Sequence, residues 1–320
     1  MNIQQALCEA KKVLACVTDQ PLLEAEILLA YVMNQSRVFL HARPETHLNA
    51  EQIKPFTDFI QRRCSHEPIA YIIQRREFWS LEFLVSPKTL IPRPETELLV
   101  ESVLQLMGEN SLDHCSGHSR FEGRRDQGWY GAPRAGSPFL KTWNGRNNGR
   151  VRENTIKVAD LGTGSGAIGL SIAHEKKAWQ IHAVDICDGA LQMARTNAKT
   201  LRIENVSFYQ GNWCQALPCT DFDVMVSNPP YIAETEWEKY AKGLTFEPSM
   251  ALVSGRDGLD AIRQISQSAK YYLKPKGYIL VEHGFSQAEA VRQLFNQDGY
   301  HDVYTIRDLA GHERVTIGQK

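Results

Sequence analysis

Four consecutive residues, Asn228-Pro229-Pro230-Tyr231, follow the apolar run Phe222-Asp223-Val224-Met225-Val226 and Ser227. Two prolines in succession stiffen the backbone and remove two N–H donors. The Asn228 amide oxygen and the Pro229 carbonyl can then accept both hydrogens of one NH2 group, and the Tyr231 ring can cover its face. The chemistry this arrangement suits is methylation of a planar amide or amine nitrogen. An amide nitrogen is a poor nucleophile because its lone pair is delocalised into the carbonyl. A site that orients it and offsets the charge growing on it works by electrostatic preorganisation, without a strong base. The displacement is in-line, so the nitrogen must sit roughly 3 Å from the methyl carbon. A Pro-Pro turn with no ligand is the plain alternative. Against it stands the position, outside the carboxyl end of a strand, where open α/β sheets bind ligands.

A methyl donor needs its own pocket. Asp160-Leu161-Gly162-Thr163-Gly164-Ser165-Gly166 follows a strand and opens a helix. Glycines there let the backbone turn sharply and approach a ligand. Alone this is a weak signal, since NAD, FAD and S-adenosylmethionine enzymes all place such a turn at this point. Asp185 ends the next strand, 19 residues after Gly166. Its carboxylate can accept both hydroxyls of an adenosine ribose, or it can cap the helix that starts near Gly189. Dinucleotide enzymes need nothing special after the fourth strand, so Asn228 to Tyr231 favour S-adenosylmethionine as the cofactor. No nucleophilic triad stands out. The seven cysteines form no CxxC pair, which reads as reduced thiols without a metal.

The elements that must position these residues follow from periodicity. Strands are expected at 157–161, 180–184, 206–209, 222–226 and 278–282, alternating with helices at 169–175 and 189–200. That alternation predicts an α/β fold, a class I methyltransferase-like (Rossmann-like), mostly parallel sheet with helices on both faces. Val303 to Ile306 and Arg314 to Ile317 read as a closing strand pair. Residues 1–72 read as a small helical domain. Leu23, Ile27, Ala30 and Tyr31 are expected on one helix face, with Asp19 and Pro21 at its start. A second helix at about 51–64 places Ile53, Phe56, Phe59 and Ile60 on one side. Residues 73–92 read as a connecting hairpin: Trp79, Leu81, Phe83 and Val85 alternate, Ser86-Pro87-Lys88 turns, and Thr89-Leu90-Ile91 returns. A helix follows from Glu95 to Met107, and 93–320 forms the methyltransferase domain.

Residues 109–154 break the pattern. They are rich in Gly, Arg, Asn and Ser, and between 111 and 157 there are nine Lys or Arg against four Asp or Glu. This reads as a solvated, disordered insertion, with an arginine-rich nucleic-acid contact as the alternative. The net charge of the chain is −1, with 42% apolar and 23% charged residues. No global field draws it to nucleic acid or an anionic membrane. No basic n-region precedes an apolar run at the start, and no stretch approaches the roughly 20 apolar residues that span a bilayer. A cytoplasmic monomer is expected.

With Arg93, Asp160, Asp185 and Asn228 placed, the chain resembles the bacterial peptide chain release factor glutamine methyltransferases, the HemK/PrmC family. The likeness covers nearly the whole chain outside 109–154. Asn-Pro-Pro-Tyr is shared with adenine-N6 DNA methyltransferases and is not the most telling part. More specific are Leu90-Ile91-Pro92-Arg93-Pro94-Glu95-Thr96-Glu97 and the upstream Glu67-Pro68-Ile69-Ala70-Tyr71-Ile72. The related enzymes that modify a ribosomal-protein glutamine differ at Arg-Pro-Glu-Thr-Glu. Phe246-Glu247-Pro248, Gly255-Arg256-Asp257-Gly258-Leu259 and Asp308-Leu309-Ala310-Gly311 are also similar.

The resemblance implies N5-methylation of the glutamine in the Gly-Gly-Gln motif of class-1 release factors, which would be the protein partners. It implies that Gly162, Thr163, Gly164, Ser165 and Gly166 wrap the cofactor's methionine end, that Asp185 holds the ribose and that Trp213 packs on the adenine. Asn228, Pro229, Pro230 and Tyr231 would hold the glutamine amide, Asn228 also bordering the cofactor, with Arg93 and Glu95 near the same pocket. The chain departs from the family at Asn212, where aspartate is usual, at Gln74, where glycine is frequent, and in the length of the insertion. Two other readings stand beside this one: a nucleic-acid adenine-N6 methyltransferase, and a non-catalytic cofactor-binding module that docks on the translation machinery.

Overall fold

The computed structural model describes residues 1–109 and 155–320. The disorder expected of the insertion falls, Glu109 apart, outside the described residues. The chain begins with α1 (Ile3–Leu14), where Asn2 accepts the Gln5 amide and Gln5 returns to the Asn2 N–H, a capping box. Then come α2 (Pro21–Met33) and α3 (Arg37–Ala42). The capping box recurs with Asn49 and Gln52 at α4 (Ala50–Cys64), and α5 (Ile69–Ile72) is a single turn. These helices share one apolar core that includes Ile3, Leu14, Leu28, Leu29, Phe56 and Ile60.

Helix α2 buries a different face from the one its sequence suggests. Ala25, Leu28 and Leu29 are buried together with the expected Ala30, while Tyr31 is exposed and Leu23 and Ile27 are half-buried. The helix is apolar nearly all round, so its period does not single out a stripe. The buried face even carries Glu26, neutralised by Arg37 at 2.6 Å with His41 at 3.2 Å. Nor does Asp19 cap it: Gln20 holds the cap position without a side-chain bond.

The hairpin lies one strand earlier than expected. β1 (Arg75–Phe78) pairs antiparallel with β2 (Leu81–Leu84) around Trp79 and Ser80, both left-handed at φ 53° and 57°. Two such residues make a tight hairpin turn, a role usually taken by Asn-Gly. Here Glu97 holds the turn by accepting from the Trp79 N–H, and the Trp79 indole donates to Glu175. Ser86 does start a turn, closed by the Thr89 N–H, but Thr89 to Ile91 pair with no strand among the described residues. They are held by side chains instead. The Tyr71 hydroxyl donates to the Thr89 carbonyl at 2.6 Å, and Tyr71, Val85 and Ile91 form a small core where the helices meet the sheet domain. Gln74 takes φ 57°, the conformation that explains why glycine suits that place.

A 3-10 turn at Pro94–Thr96 leads into α6 (Glu97–Glu109). Beyond the insertion come β3 (Lys157–Leu161), α7 (Ala167–Glu175), β4 (Gln180–Asp185), α8 (Asp188–Leu201), β5 (Val206–Gln210) and β6 (Phe222–Ser227). They are followed by α9 (Trp237–Leu244), α10 (Asp260–Tyr272), β7 (Leu273–Glu282), α11 (Ala288–Gln297), β8 (His301–Arg307) and β9 (Glu313–Gln319). The main sheet runs β5-β4-β3-β6-β7-β9-β8. Its first five strands are parallel, and β9 enters antiparallel between β7 and β8. Val158, Val226 and Leu280 point to one core with α6 and α7, while Leu161, Met225 and Ile279 point to a second with α10 and α11. Both faces are covered, as a parallel sheet requires. Among the described residues no helix is long and apolar enough to cross a membrane.

Candidate active site

Four adjacent parallel strands end side by side, and each contributes a predicted residue. Gly162 follows β3, Asp185 closes β4, Trp213 follows β5 and Asn228 follows β6. They border one cavity of about 340 Å³, within the roughly 300–1,000 Å³ of small-molecule sites. Thr163, Gly164, Ser165, Pro230 and Arg93 also line it. Gly166, Pro229, Tyr231 and Glu95 do not.

The β3–α7 turn is shaped for a close approach. Gly162 sits at φ 74°, and a Cβ there would lie 3.0 Å from the Trp213 ring. Gly166, at φ 86°, caps α7, and its Cβ would lie 2.7 Å from Leu170. Beneath the turn, buried Asp160 accepts from the Thr163 hydroxyl at 2.6 Å and the Gly169 N–H at 2.9 Å. Burial pushes its carboxyl up to about 6 against those two bonds. Asn197, fully buried on α8, donates to the Ser165 carbonyl at 2.8 Å and clasps Leu84 of β2 through both its N–H and its C=O.

Asp185 serves the backbone as well as the cavity. One oxygen accepts from Gly164 at 2.8 Å and the other from Cys187 at 2.9 Å. Burial raises its pKa, and these N–H groups oppose the rise. A carboxylate has about four lone-pair positions, so capacity remains for a hydroxyl of a ligand. The helix-cap alternative is half realised: Cys187, not Asp185, is the N-cap of α8, yet Asp185 fixes it.

On the other side, the Asn228 amide nitrogen donates to the Thr96 hydroxyl at 3.0 Å. The Tyr231 hydroxyl points to Glu282 Oε1 at 3.5 Å, and its pKa is raised by burial and by that carboxylate. Glu282 closes β7 and is 1% exposed. Burial pushes it up to about 7, while Thr96 and Arg314 favour its ionised form. Arg314 is held by Asp308 at 3.1 Å, at the turn between β8 and β9. Exposed Glu95 adds negative charge near Tyr231 and Glu282. Arg93 reaches the cavity paired with buried Glu247, which also accepts from the Ile91 N–H at 3.0 Å.

Thr96, Glu247, Glu282 and Asn197 are therefore parts of the site that the sequence reading did not single out. Thr96 and Glu247 lie inside motifs it did quote. For Glu282 the available signal was a carboxylate ending an otherwise apolar strand.

Residues 5–73 match the family model described as PrmC N-terminal domain, and residues 149–298 match the methyltransferase small domain. The chain is 38% identical over 320 residues to a release factor glutamine methyltransferase of Coxiella burnetii, covering 100% of this chain and 99% of the relative. It is 38% identical to that of Escherichia coli K12 over 319 residues, with the same coverage. Among solved structures, the hMettl16 catalytic domain in complex with MAT2A 3'UTR hairpin 1 is similar in fold, with TM-score 0.51 and 11% identity. The aligned part covers 91% of this chain and 90% of that one. A mostly parallel seven-stranded sheet with this site at its carboxyl ends, and relatives matched along the full length, lead to one conclusion: the chain belongs to the release factor glutamine methyltransferase family.

Proposed function

We propose that this protein methylates the side-chain amide nitrogen of a release-factor glutamine, that of the Gly-Gly-Gln motif, with S-adenosylmethionine as donor. The observation that carries the reading is the Asn228 amide, fixed by Thr96 at the rim of the cavity that Gly162, Asp185 and Trp213 build. The donor fits the residues present. The left-handed glycine turn leaves room beside the Trp213 ring, and Asp185 keeps lone pairs for a ribose. When bound, S-adenosylmethionine supplies an electrophilic methyl group on a sulfonium.

The chain's own residues do the rest. Gly162 to Gly166 curve around the donor's methionine end, Asp185 takes the ribose, and Trp213 packs on the adenine. With its NH2 committed to Thr96, Asn228 presents its oxygen to one N–H of the acceptor, and the Pro229 carbonyl takes the other. Pro230 keeps that backbone rigid, and Tyr231 covers the acceptor's face. Both acceptors stabilise charge that appears mainly in the transition state. Arg93 borders the entrance, and Glu95 lies close by outside the lining. The helices at 1–72 dock the protein substrate, which makes binding far from the amide part of the catalysis.

Labelled donor incubated with whole release factor, a Gly-Gly-Gln peptide or DNA tests this. Label should enter the factor's glutamine much faster than the peptide. Equal rates on peptide and factor would remove the docking role, and preferential labelling of DNA would overturn the substrate class.

A further inference from the structure

The main chain from Asn228 to Tyr231 brings little of its own to hold it in place. Pro229 and Pro230 have no N–H to give, and none of the four residues lies in a strand or a helix. What fixes the stretch is its far end. The Tyr231 carbonyl accepts from Gln287 Nε2 at 3.0 Å. The next residue, Ile232, donates to the Leu252 carbonyl at 2.8 Å and accepts from the Ser254 N–H at 3.0 Å.

Gln287 is the N-cap residue of α11, and its side-chain oxygen accepts from the Gly284 N–H at 2.8 Å. Its nitrogen therefore faces two carbonyls, that of Tyr231 and that of Asp257 at 3.2 Å. A side-chain amide has two hydrogens to give, and these two carbonyls take them, so the flip of Gln287 is fixed by its partners. Gly258 lets the chain after Asp257 come this close. It is buried at φ 78°, and a Cβ there would collide with the Tyr231 oxygen and lie 2.7 Å from Gln287 Nε2. The nearest obstacle is backbone, so no side chain can swing away to make room.

We infer that Gln287 and Gly258 are positioning residues, which fix the Tyr231 carbonyl and so set where Asn228 and Pro229 present their oxygens to the methyl acceptor. The inference rests on the acceptor role proposed above for those two. Prolines with a locked φ pass a shift at Tyr231 back toward Asn228 instead of absorbing it.

Gln287→Met keeps the reach of the side chain and removes both donors. It should lower kcat on release factor by about 10-fold, and Gly258→Ala by about 100-fold, the scale of a reacting group displaced by about 1 Å. Neither Gln287 nor its partners Tyr231, Asp257 and Gly284 line the cavity. Donor Kd in Gln287→Met should therefore match wild type by calorimetry, and KM for release factor should hold as well. Gln287→Glu separates position from bulk. An ionised carboxyl has no hydrogen for either carbonyl and a protonated one has one, so its kcat relative to wild type should rise as pH falls from about 8 to about 5.5.

Unchanged kcat in folded Gln287→Met, a matching loss of donor affinity, or a flat pH ratio for Gln287→Glu would overturn the inference. Should Gly258→Ala not fold, the Gln287 variants decide alone. The backbone amide of Ile232, whose nitrogen is bonded to the Tyr231 carbonyl carbon, gives a readout without turnover. Its signal in 15N-resolved spectra should move in Gln287→Met, and an unmoved signal would also sink the idea. If it moves but wild type never methylates release factor, the proposed function fails while the held carbonyl stands.

Discussion

The two halves of the cavity are made by different means. The donor half is backbone shape: a turn of three left-handed glycines, a carboxylate fastened to two main-chain N–H groups, and an indole against Gly162. Its parts lie within about fifty residues of one another, on three consecutive strands. The acceptor half is a web of side chains from distant segments. Asn228 meets Thr96 across 132 positions, and Ile91 meets Glu247 across 156. Shape can be set locally by residue type, whereas a polar web exists only once the fold has brought its members together.

If that division is right, substitutions should separate cleanly by parameter. The largest effect is expected at Asn228. Asn228→Ala should lower kcat by roughly 10²–10³, by analogy with loss of one preorganised polar group, and leave donor affinity nearly intact. Wild-type turnover on release factor would make Asn228 a turn residue only. Asp185→Ala should do the reverse and weaken donor binding by about 1.5–3 kcal/mol, the range for hydrogen bonds to a charged group. Calorimetry on the folded variant decides this, and unchanged affinity would dissolve the distinction.

A smaller effect is expected from one added methyl. Gly162→Ala places a Cβ 3.0 Å from the Trp213 ring at φ 74°. The left-handed conformation alone costs about 1–2 kcal/mol. Donor Kd should rise by about tenfold while kcat at saturating donor holds, which steady-state titration of the donor would read. A fall in kcat instead would mean the halves are not separable.

A further effect concerns pH. Burial holds Glu282 at about 7, above its ordinary 4.5, so the folded chain binds this proton more tightly than the unfolded chain. Stability from this group therefore falls as pH rises from about 4.5 to 7 and levels off above, by at most about 1.4 kcal/mol per pH unit. Glu282→Gln cannot ionise and should gain on wild type across that window in urea unfolding at pH 5, 6 and 7. A constant difference would show that the buried carboxyl carries no such load.

The same division explains what could be read from the chain alone. β3, β4, β5 and β6 and the turn at 162–166 were legible because apolar runs and glycines announce themselves within a few residues. Helix α2 existed as read, but its buried face depended on what packed against it, including the pairing of Glu26 with Arg37. The hairpin was misplaced because Trp79 and Ser80 carry no turn signature; Glu97 and Glu175 impose the turn from far along the chain. Thr96 and Glu282 stayed silent for a related reason, since neither has chemistry to suggest until Asn228 stands beside the one and Tyr231 beside the other.

A two-stranded ribbon offers open edges to which a strand from another molecule can add. At Leu84 that invitation is withdrawn by a single side chain, since Asn197 answers both polar groups of the residue as a neighbouring strand would. The same amide also holds the Ser165 carbonyl. One buried amide thus joins the covered edge of the ribbon to the glycine turn of the donor pocket, and Asn197→Leu, which removes both ties, should aggregate on refolding more than wild type.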